Sequence, residues 1–278
     1  MFPRKQIENA LGVAVNNFAV IKNSASRSVF SIETESGSYC VKTCKHGHNG
    51  VIDSERAGLY ALGSTCTVQV PGINAWGENY LVLEWLNSTR STFAQWQDFA
   101  RQLVELHNKP YGRFGFEDNG YCGESVQIND WCDSGFEFFV TRRIQPQARW
   151  ARDRGLLSAA DSDALDSFCT RVEQLVPEMP AVLLHGDLWS GNVMFTEQSP
   201  WVIDPAAYYG WAESDVAMTC LFGGFPDSFY GCYFEACSLP EGFYDRVDVY
   251  NLYHLLNHLN LFGGSYYQQV ASTLKKYS

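Results

Sequence analysis

Asp187, Asn192 and Asp204 are the residues whose types and spacing suggest chemistry. Asp187 and Asn192 lie in Leu183-Leu184-His185-Gly186-Asp187-Leu188-Trp189-Ser190-Gly191-Asn192, and a second carboxylate follows in Ile203-Asp204-Pro205. Phosphoryl transfer needs this set, because there the protein supplies positioning and charge neutralisation and little covalent chemistry. Asp187 suits the base that takes the acceptor's proton. Asn192 and Asp204 offer an amide oxygen and a carboxylate, hard ligands able to hold Mg2+ on the phosphates of ATP.

These side chains need elements that bring them together. The apolar run Ala181 to Leu184 predicts a short buried strand that breaks at Gly186 and leaves Asp187 at the head of a loop. Asn192 to Phe195 and Trp201 to Asp204 flank the polar turn Thr196 to Pro200, a hairpin that returns Asp204 to Asn192. Upstream, Phe18 to Lys22, Val29 to Thr34 and Tyr39 to Thr43 read as strands, with Glu35-Ser36-Gly37-Ser38 as a hairpin turn. Lys42 ends the third. Residues 51 to 63 predict a helix with Ile52, Glu55, Leu59 and Leu62 on one face. A glutamate among leucines needs a cation, and Lys42 is the expected partner. A strand lysine, a helix glutamate, an Asp followed five positions on by Asn, and a second Asp after a hairpin are the order of the kinase signature set. His185-Gly186-Asp187 in place of His-Arg-Asp, and Asp204-Pro205 in place of Asp-Phe-Gly, points to small-molecule kinases. Asp187 and Asn192 taken alone would pass for ordinary turn residues.

His185 to Asn192, Ile203-Asp204-Pro205-Ala206, Tyr208-Tyr209-Gly210, Glu213 with Asp215, and Leu221-Phe222-Gly223-Gly224-Phe225 resemble the fructosamine kinase (ketosamine kinase) family. His-Gly-Asp with Asn is shared with aminoglycoside and choline kinases, whereas Leu-Trp-Ser-Gly-Asn with Leu-Phe-Gly-Gly-Phe is narrower. The resemblance implies ATP as phosphoryl donor and transfer to the 3-hydroxyl of a ketosamine, small or protein-bound, which destabilises the glycation adduct and promotes deglycation. It also implies adenine recognition by hinge backbone, here the Glu84 carbonyl and the Leu86 amide. Some members carry a redox-active cysteine in the loop after the first strand; residues 22 to 28 contain none, so that regulation is not carried over. Members often have Arg before the Glu of Glu213, where this chain has Ala212.

The remaining segments are scaffolding in this reading. Residues 4 to 16, with Ile7, Leu11 and Val15, predict an opening helix; Val68 to Pro71 and Tyr80 to Leu83 predict further strands. The loop Asn23-Ser24-Ala25-Ser26-Arg27-Ser28 stands where a kinase has a Gly-rich phosphate loop, yet has no glycine. Cys40 shares the strand face of Lys42 and is placed to roof the adenine site. Helices are expected at Phe93 to His107, from Phe136 to Arg143, at Ala159 to Val176, at Glu213 to Leu221 and at Gly242 to Phe262, with Asp215 steadying the catalytic loop. The long passage 108 to 135 is a candidate lining for the acceptor pocket. Trp131, Trp189, Tyr208, Tyr209 and Trp211 are candidate aromatic contacts there. Arg142, Arg143, Arg149, Arg152 and Arg154 form a basic cluster, read chiefly as a solvated helix face. His254 and His258, four apart without an accompanying Glu, read as core or pocket residues.

Composition narrows the class. The 278 residues are 46% hydrophobic, enough for a large core, and carry a formal charge of −11, which disfavours nonspecific nucleic-acid or anionic-membrane binding. Nine cysteines without a Cys-x-x-Cys pair read as reduced thiols and give no structural zinc site. No membrane span and no signal-peptide core is evident, so the expected location is cytoplasmic. No obligate protein partner is evident. The expected fold is α+β and protein-kinase-like: a nucleotide-binding lobe over residues 1–86, with an antiparallel sheet and one helix, and a mainly helical lobe over 87–278 for catalysis and acceptor binding. Two alternatives stand beside the ketosamine kinase: another small-molecule kinase of the aminoglycoside or choline type, and a nucleotide-binding module without catalysis.

Overall fold

Gly12 ends the opening helix, α1 (Arg4–Leu11), sooner than the apolar spacing predicts. It takes the left-handed conformation, its N–H closing on Glu8 O at 2.9 Å, and Val15 then starts a strand rather than a fourth helical turn. The protein is described here by a computed structural model covering residues 2–24, 26–45, 50–237 and 239–277; Ala25 of the glycine-free loop lies outside the described residues.

Strands β1 (Val15–Asn23), β2 (Arg27–Thr34) and β3 (Gly37–Cys44) precede α2 (Gly50–Ser64), followed by β4 (Ile73–Gly77) and β5 (Tyr80–Glu84). They form one antiparallel sheet in the order β1-β2-β3-β5-β4. The expected strand at Val68 to Pro71 is absent. Pro71 lacks an N–H and Gly72 has no side chain to pack, so pairing begins at Ile73. At β5 both sheet faces are covered, which explains why it is an apolar run rather than an alternation. Tyr80 and Val82 join Ile7, Val15 and Val41 on the α1 side, while Leu81 and Leu83 meet Ile52 and Leu59 of α2 on the other. The same alternation along β3 turns Lys42 toward α2.

The rest is mainly helical. α3 (Phe93–His107) starts from a Thr92–Gln95 capping box and packs on α8 (Asp227–Ala236). The passage 108 to 135 is not structureless: it holds β6 (Pro110–Tyr111) and the hairpin β7 (Gly120–Cys122) and β8 (Ser125–Gln127). The helix expected from Phe136 begins as α4 (Gly135–Phe138), widens into a π-helical turn over Phe139–Ile144, and continues as α5 (Gln145–Asp153). α6 (Ala159–Leu175), β9 (Ala181–Leu184), β10 (Val193–Phe195), β11 (Pro200–Val202), β12 (Tyr208–Gly210) and α7 (Ala212–Thr219) follow. α9 (Phe243–Phe262) is buried on nearly every side, and α10 (Tyr267–Tyr277) closes the chain.

Candidate active site

The segment that carries Asp187 is fixed by strand pairing, a glycine turn and one buried carboxylate. β9 pairs with β12, and the chain turns at Gly186, whose φ is 81°. A Cβ built there would stand 2.0 Å from the Ala206 carbonyl oxygen, so only glycine allows this crossing. Asp215, from α7, receives the N–H groups of His185 (2.7 Å) and Gly186 (2.8 Å), and His107 approaches it at 3.4 Å. Burial alone would raise the Asp215 carboxyl, but these donors and the two histidines hold it below its ordinary range. His107, the last residue of α3, is thus a support of the loop, tied on its other nitrogen to the Tyr233 hydroxyl at 2.8 Å. His185 Nδ1 accepts the Asp187 N–H at 3.3 Å, which leaves Nε2–H to donate to Ile203 O at 2.9 Å. That is the neutral tautomer, and burial depresses the ring's pKa accordingly.

The reactive groups converge on this frame. Asn192 donates from Nδ2 to the Asp187 backbone oxygen (2.8 Å) and to Asp187 Oδ2 (3.2 Å). Its amide oxygen therefore remains for a cation. The β10–β11 hairpin pairs Val193 with Val202, and Asp204 follows in the left-handed conformation at φ 55°. Lys42 forms ion pairs with both Glu55 and Asp204. Burial by itself would lower the Lys42 ammonium, but the two carboxylates outweigh it and hold it raised. Burial and the neighbouring Asp204 charge push Asp187 up to about 7, a range suited to a general base. The remaining Asn192 and Asp204 oxygens are hard donors that fit Mg2+.

Three cavities meet at Asp204. The first, about 300 Å³ and largely apolar, lies between Ile21, Val29, Cys40 and Leu83 on one side and Met194 and Ile203 on the other, with Glu84 and Leu86 at its edge. Burial pushes the Cys40 thiol up to about 11, so it remains protonated there. The second, about 260 Å³, is bordered by Lys22, Arg27 and Lys42. The sequence reading missed Lys22 and Arg27, although Arg27 lies in the glycine-free loop. That loop is anchored by Ser26, which donates to Glu124, and by Arg27 Nη2, which donates to Gly123 O at 3.1 Å. The third, about 460 Å³, holds Glu55, Asp187 and Asn192 and is lined by Tyr121, Trp189, Phe222 and His258 among others.

Of the five aromatics proposed for the acceptor, only Trp189 lines that cavity. Tyr208 and Trp211 are core residues at 4% and 3% exposure, and Tyr209 stacks on Tyr111 at 3.9 Å, with Trp131 beside it. Arg143 departs from the solvated-face reading: it is fully buried, 3.9 Å over the Tyr208 ring, and donates to Ile128 O and Asn129 Oδ1. The π-helical turn that carries it faces the core. Tyr121, Cys122 and Gly123, from the passage 108 to 135, line the large cavity. Glu213 obtains a cation from α9, where Arg246 Nε donates to it at 2.8 Å, in the absence of an arginine at position 212. His254 is buried, with one ring nitrogen within 4.8 Å of ligand atoms of Cys122 and Asp187, whereas His258 lines the cavity.

Residues 3–278 match the fructosamine kinase family. The chain belongs to that family. A Synechocystis sp. protein assigned as a ketoamine kinase is 40% identical over 248 residues, 86% of this chain and 82% of its own length. The chloroplastic protein-ribulosamine 3-kinase of Arabidopsis thaliana is 35% identical, over 88% of this chain and 77% of its own. A crystal structure from Thermobifida fusca assigned as a fructosamine-3-kinase superposes with a TM-score of 0.92 at 30% identity, covering 98% and 97% of the two chains. An aminoglycoside phosphotransferase in ternary complex with AMP-PNP and hygromycin B shares the fold at TM-score 0.67 and 16% identity, covering 98% of each chain. The fold is thus the kinase-like α+β architecture, and the protein is an ATP-dependent phosphotransferase with a hydroxyl acceptor.

Proposed function

We propose that this protein transfers the γ-phosphoryl group of ATP to the 3-hydroxyl of a ketosamine, with Asp187 as base. The supporting observation is that Asp204 borders an apolar cavity, a cationic cavity and a third that contains Asp187. In this reading the purine occupies the first, with the Glu84 carbonyl and Leu86 amide at its edge. The phosphates lie against Lys22, Arg27 and Lys42, and Glu55 orients Lys42. Arg27 and Lys22 then supply by side-chain charge what a Gly-rich loop supplies by backbone N–H groups. Asn192 and Asp204 would hold Mg2+, which neutralises charge on the transferring group. The acceptor oxygen gains the phosphorus bond, ADP leaves, and the hydroxyl proton passes to Asp187.

Residues 1–86 form the nucleotide lobe in this proposal and 87–278 the catalytic and acceptor lobe. Among the described residues no helix is long and apolar enough to cross a membrane. All nine cysteines are free, in keeping with a reducing compartment, and we place the protein in the cytoplasm. The reading is tested by an acceptor panel with ATP and Mg2+, comparing fructosamines, ribulosamines and erythrulosamines, free and protein-bound, with aminoglycosides and choline. Turnover confined to the last two groups would overturn the ketosamine assignment.

A further inference from the structure

Beside the ionic groups Lys22, Arg27, Glu55, Asp187 and Asp204, the large cavity presents two chemically different sets of residues. Ser54 of α2 and Tyr121 of β7 contribute hydroxyl groups, whereas Trp189, Phe222, His258, Phe262 and Tyr266 contribute rings. The rings touch one another: Phe222 lies 4.9 Å from His258 and 6.0 Å from Trp189, and His258 lies 5.1 Å from Tyr266 and 5.4 Å from Phe262. Phe222 and Phe262 remain 38% and 65% exposed, an aromatic surface left open beside Asp187. His258 has a defined hydrogen-bonding state. Its Nδ1 lies 2.8 Å from His254 O, and because a carbonyl only accepts, Nδ1 carries the proton and Nε2 is left as an acceptor. Burial lowers the ring's pKa and keeps it neutral.

An acceptor of the proposed class carries a secondary amine four bonds from the reacting hydroxyl oxygen, hence within about 5 Å of it. When Asp187 holds that hydroxyl, the amine and its substituent must lie in the same cavity. Aromatic faces attract cations, and neutral imidazole accepts an N–H. Lys22 and Arg27 also line this cavity, but both border the phosphate site and face the anionic nucleotide in the reading above.

We propose that His258, with the Phe222 and Tyr266 rings around it, is the subsite for the protonated amine of the acceptor. His258 Nε2 accepts the ammonium N–H, the rings stabilise its charge, and Phe262 receives the chain that the amine bears. The sugar hydroxyls are left to Ser54 and Tyr121. This assignment rests on the ketosamine reading and names residues that it does not need.

The test compares the fructosamine of Nα-acetyl-lysine with an isosteric analogue in which an ether oxygen replaces the amine nitrogen, in wild type, His258→Leu and Phe222→Ala. The wild type is expected to favour the amine by about tenfold in kcat/KM, the size of a lost charge-assisted contact. In His258→Leu the KM for the fructosamine should rise by about tenfold, with kcat and the KM for ATP unchanged and the preference over the ether abolished. Phe222→Ala alters an exposed position and keeps the test valid if His258→Leu does not fold; it should weaken the same preference with an unchanged Tm. Equal use of amine and ether by the wild type, or a preference retained in both variants, would overturn the subsite. Inertness of both compounds with the wild type would overturn the ketosamine reading and this subsite with it.

Discussion

Asp187 carries opposing demands on stability and reactivity. Its carboxyl is pushed up to about 7 by burial and by Asp204, so the folded state binds a proton that the unfolded chain has released. The sign follows from linkage: a raised carboxyl is neutral and harmless below the unfolded value near 4, and its ionisation in the fold increasingly destabilises as pH rises toward 7. Asp187→Asn should therefore lose about three orders of magnitude in kcat. In the nucleotide-free protein it should also raise Tm by about 3 °C or more at pH 8 and leave it unchanged at pH 4. A kcat within a few-fold of wild type would remove Asp187 from the role of base. At Gly186 the demand is steric. Gly186→Ala would place a methyl 2.0 Å from the Ala206 oxygen at a φ of 81°, and thermal unfolding should show a loss of several degrees together with lost turnover.

Between elements, α7 supports the catalytic segment through one side chain. Both Asp215 oxygens receive N–H groups from the turn after β9, and the carboxyl is held below its ordinary range despite burial. Such a depressed group stabilises above the ordinary carboxylate range, and its contribution is lost as pH falls through the folded value. Asp215→Asn should lower stability at pH 7 by about 2 kcal/mol or more and reduce the difference in stability between pH 7 and pH 3. Denaturant titrations at the two pH values read both effects; an unchanged midpoint at pH 7 would remove Asp215 from this supporting role. The β3–α2 contact is of another kind, because Lys42 is shared by Glu55 and Asp204. Glu55→Gln leaves the lysine to Asp204 alone, so the KM for ATP should rise more than the KM for the acceptor, as steady-state kinetics would show.

At the scale of the molecule, an overall charge of −11 surrounds a site for a polyanion. In the proposed reading the attraction is local, from Lys22, Arg27, Lys42 and a divalent ion, rather than from the general field. The proposed ion would be held by two side chains at the cleft, Asn192 and Asp204, and neither is a member of a hydrophobic cluster. Chelation with EDTA should consequently abolish turnover while leaving the nucleotide-free protein's Tm and far-UV circular dichroism unchanged, and added Mg2+ should restore activity. Unfolding on chelation would instead mark a structural ion.

How much was legible beforehand depended on the range of the interactions involved. The segment Ala181 to Asp204 was readable because a strand, a glycine turn and a hairpin are set by neighbouring residues, and Lys42 with Glu55 because each lies on a periodic element whose face is known. Local chemistry also misled where one residue settles a boundary, as at Gly12 and Pro71. Other features depend on contacts between distant segments. Phe222, His258, Phe262 and Tyr266 meet Asp187 only after α9 packs on α7, and nothing in their own neighbourhoods separates them from Tyr208 and Trp211, which the same packing buries. The depth of Arg143 likewise comes from a π-helical turn that shifts the helix face, and the raised carboxyl of Asp187 comes from burial and from an Asp204 charge delivered by the hairpin. The sequence determined which groups could do the chemistry, because reactivity belongs to residue type and short spacing. The tertiary structure decided their ionisation and the lining of the cavity beside Asp187, because desolvation and long-range contact exist only once the chain has closed on itself.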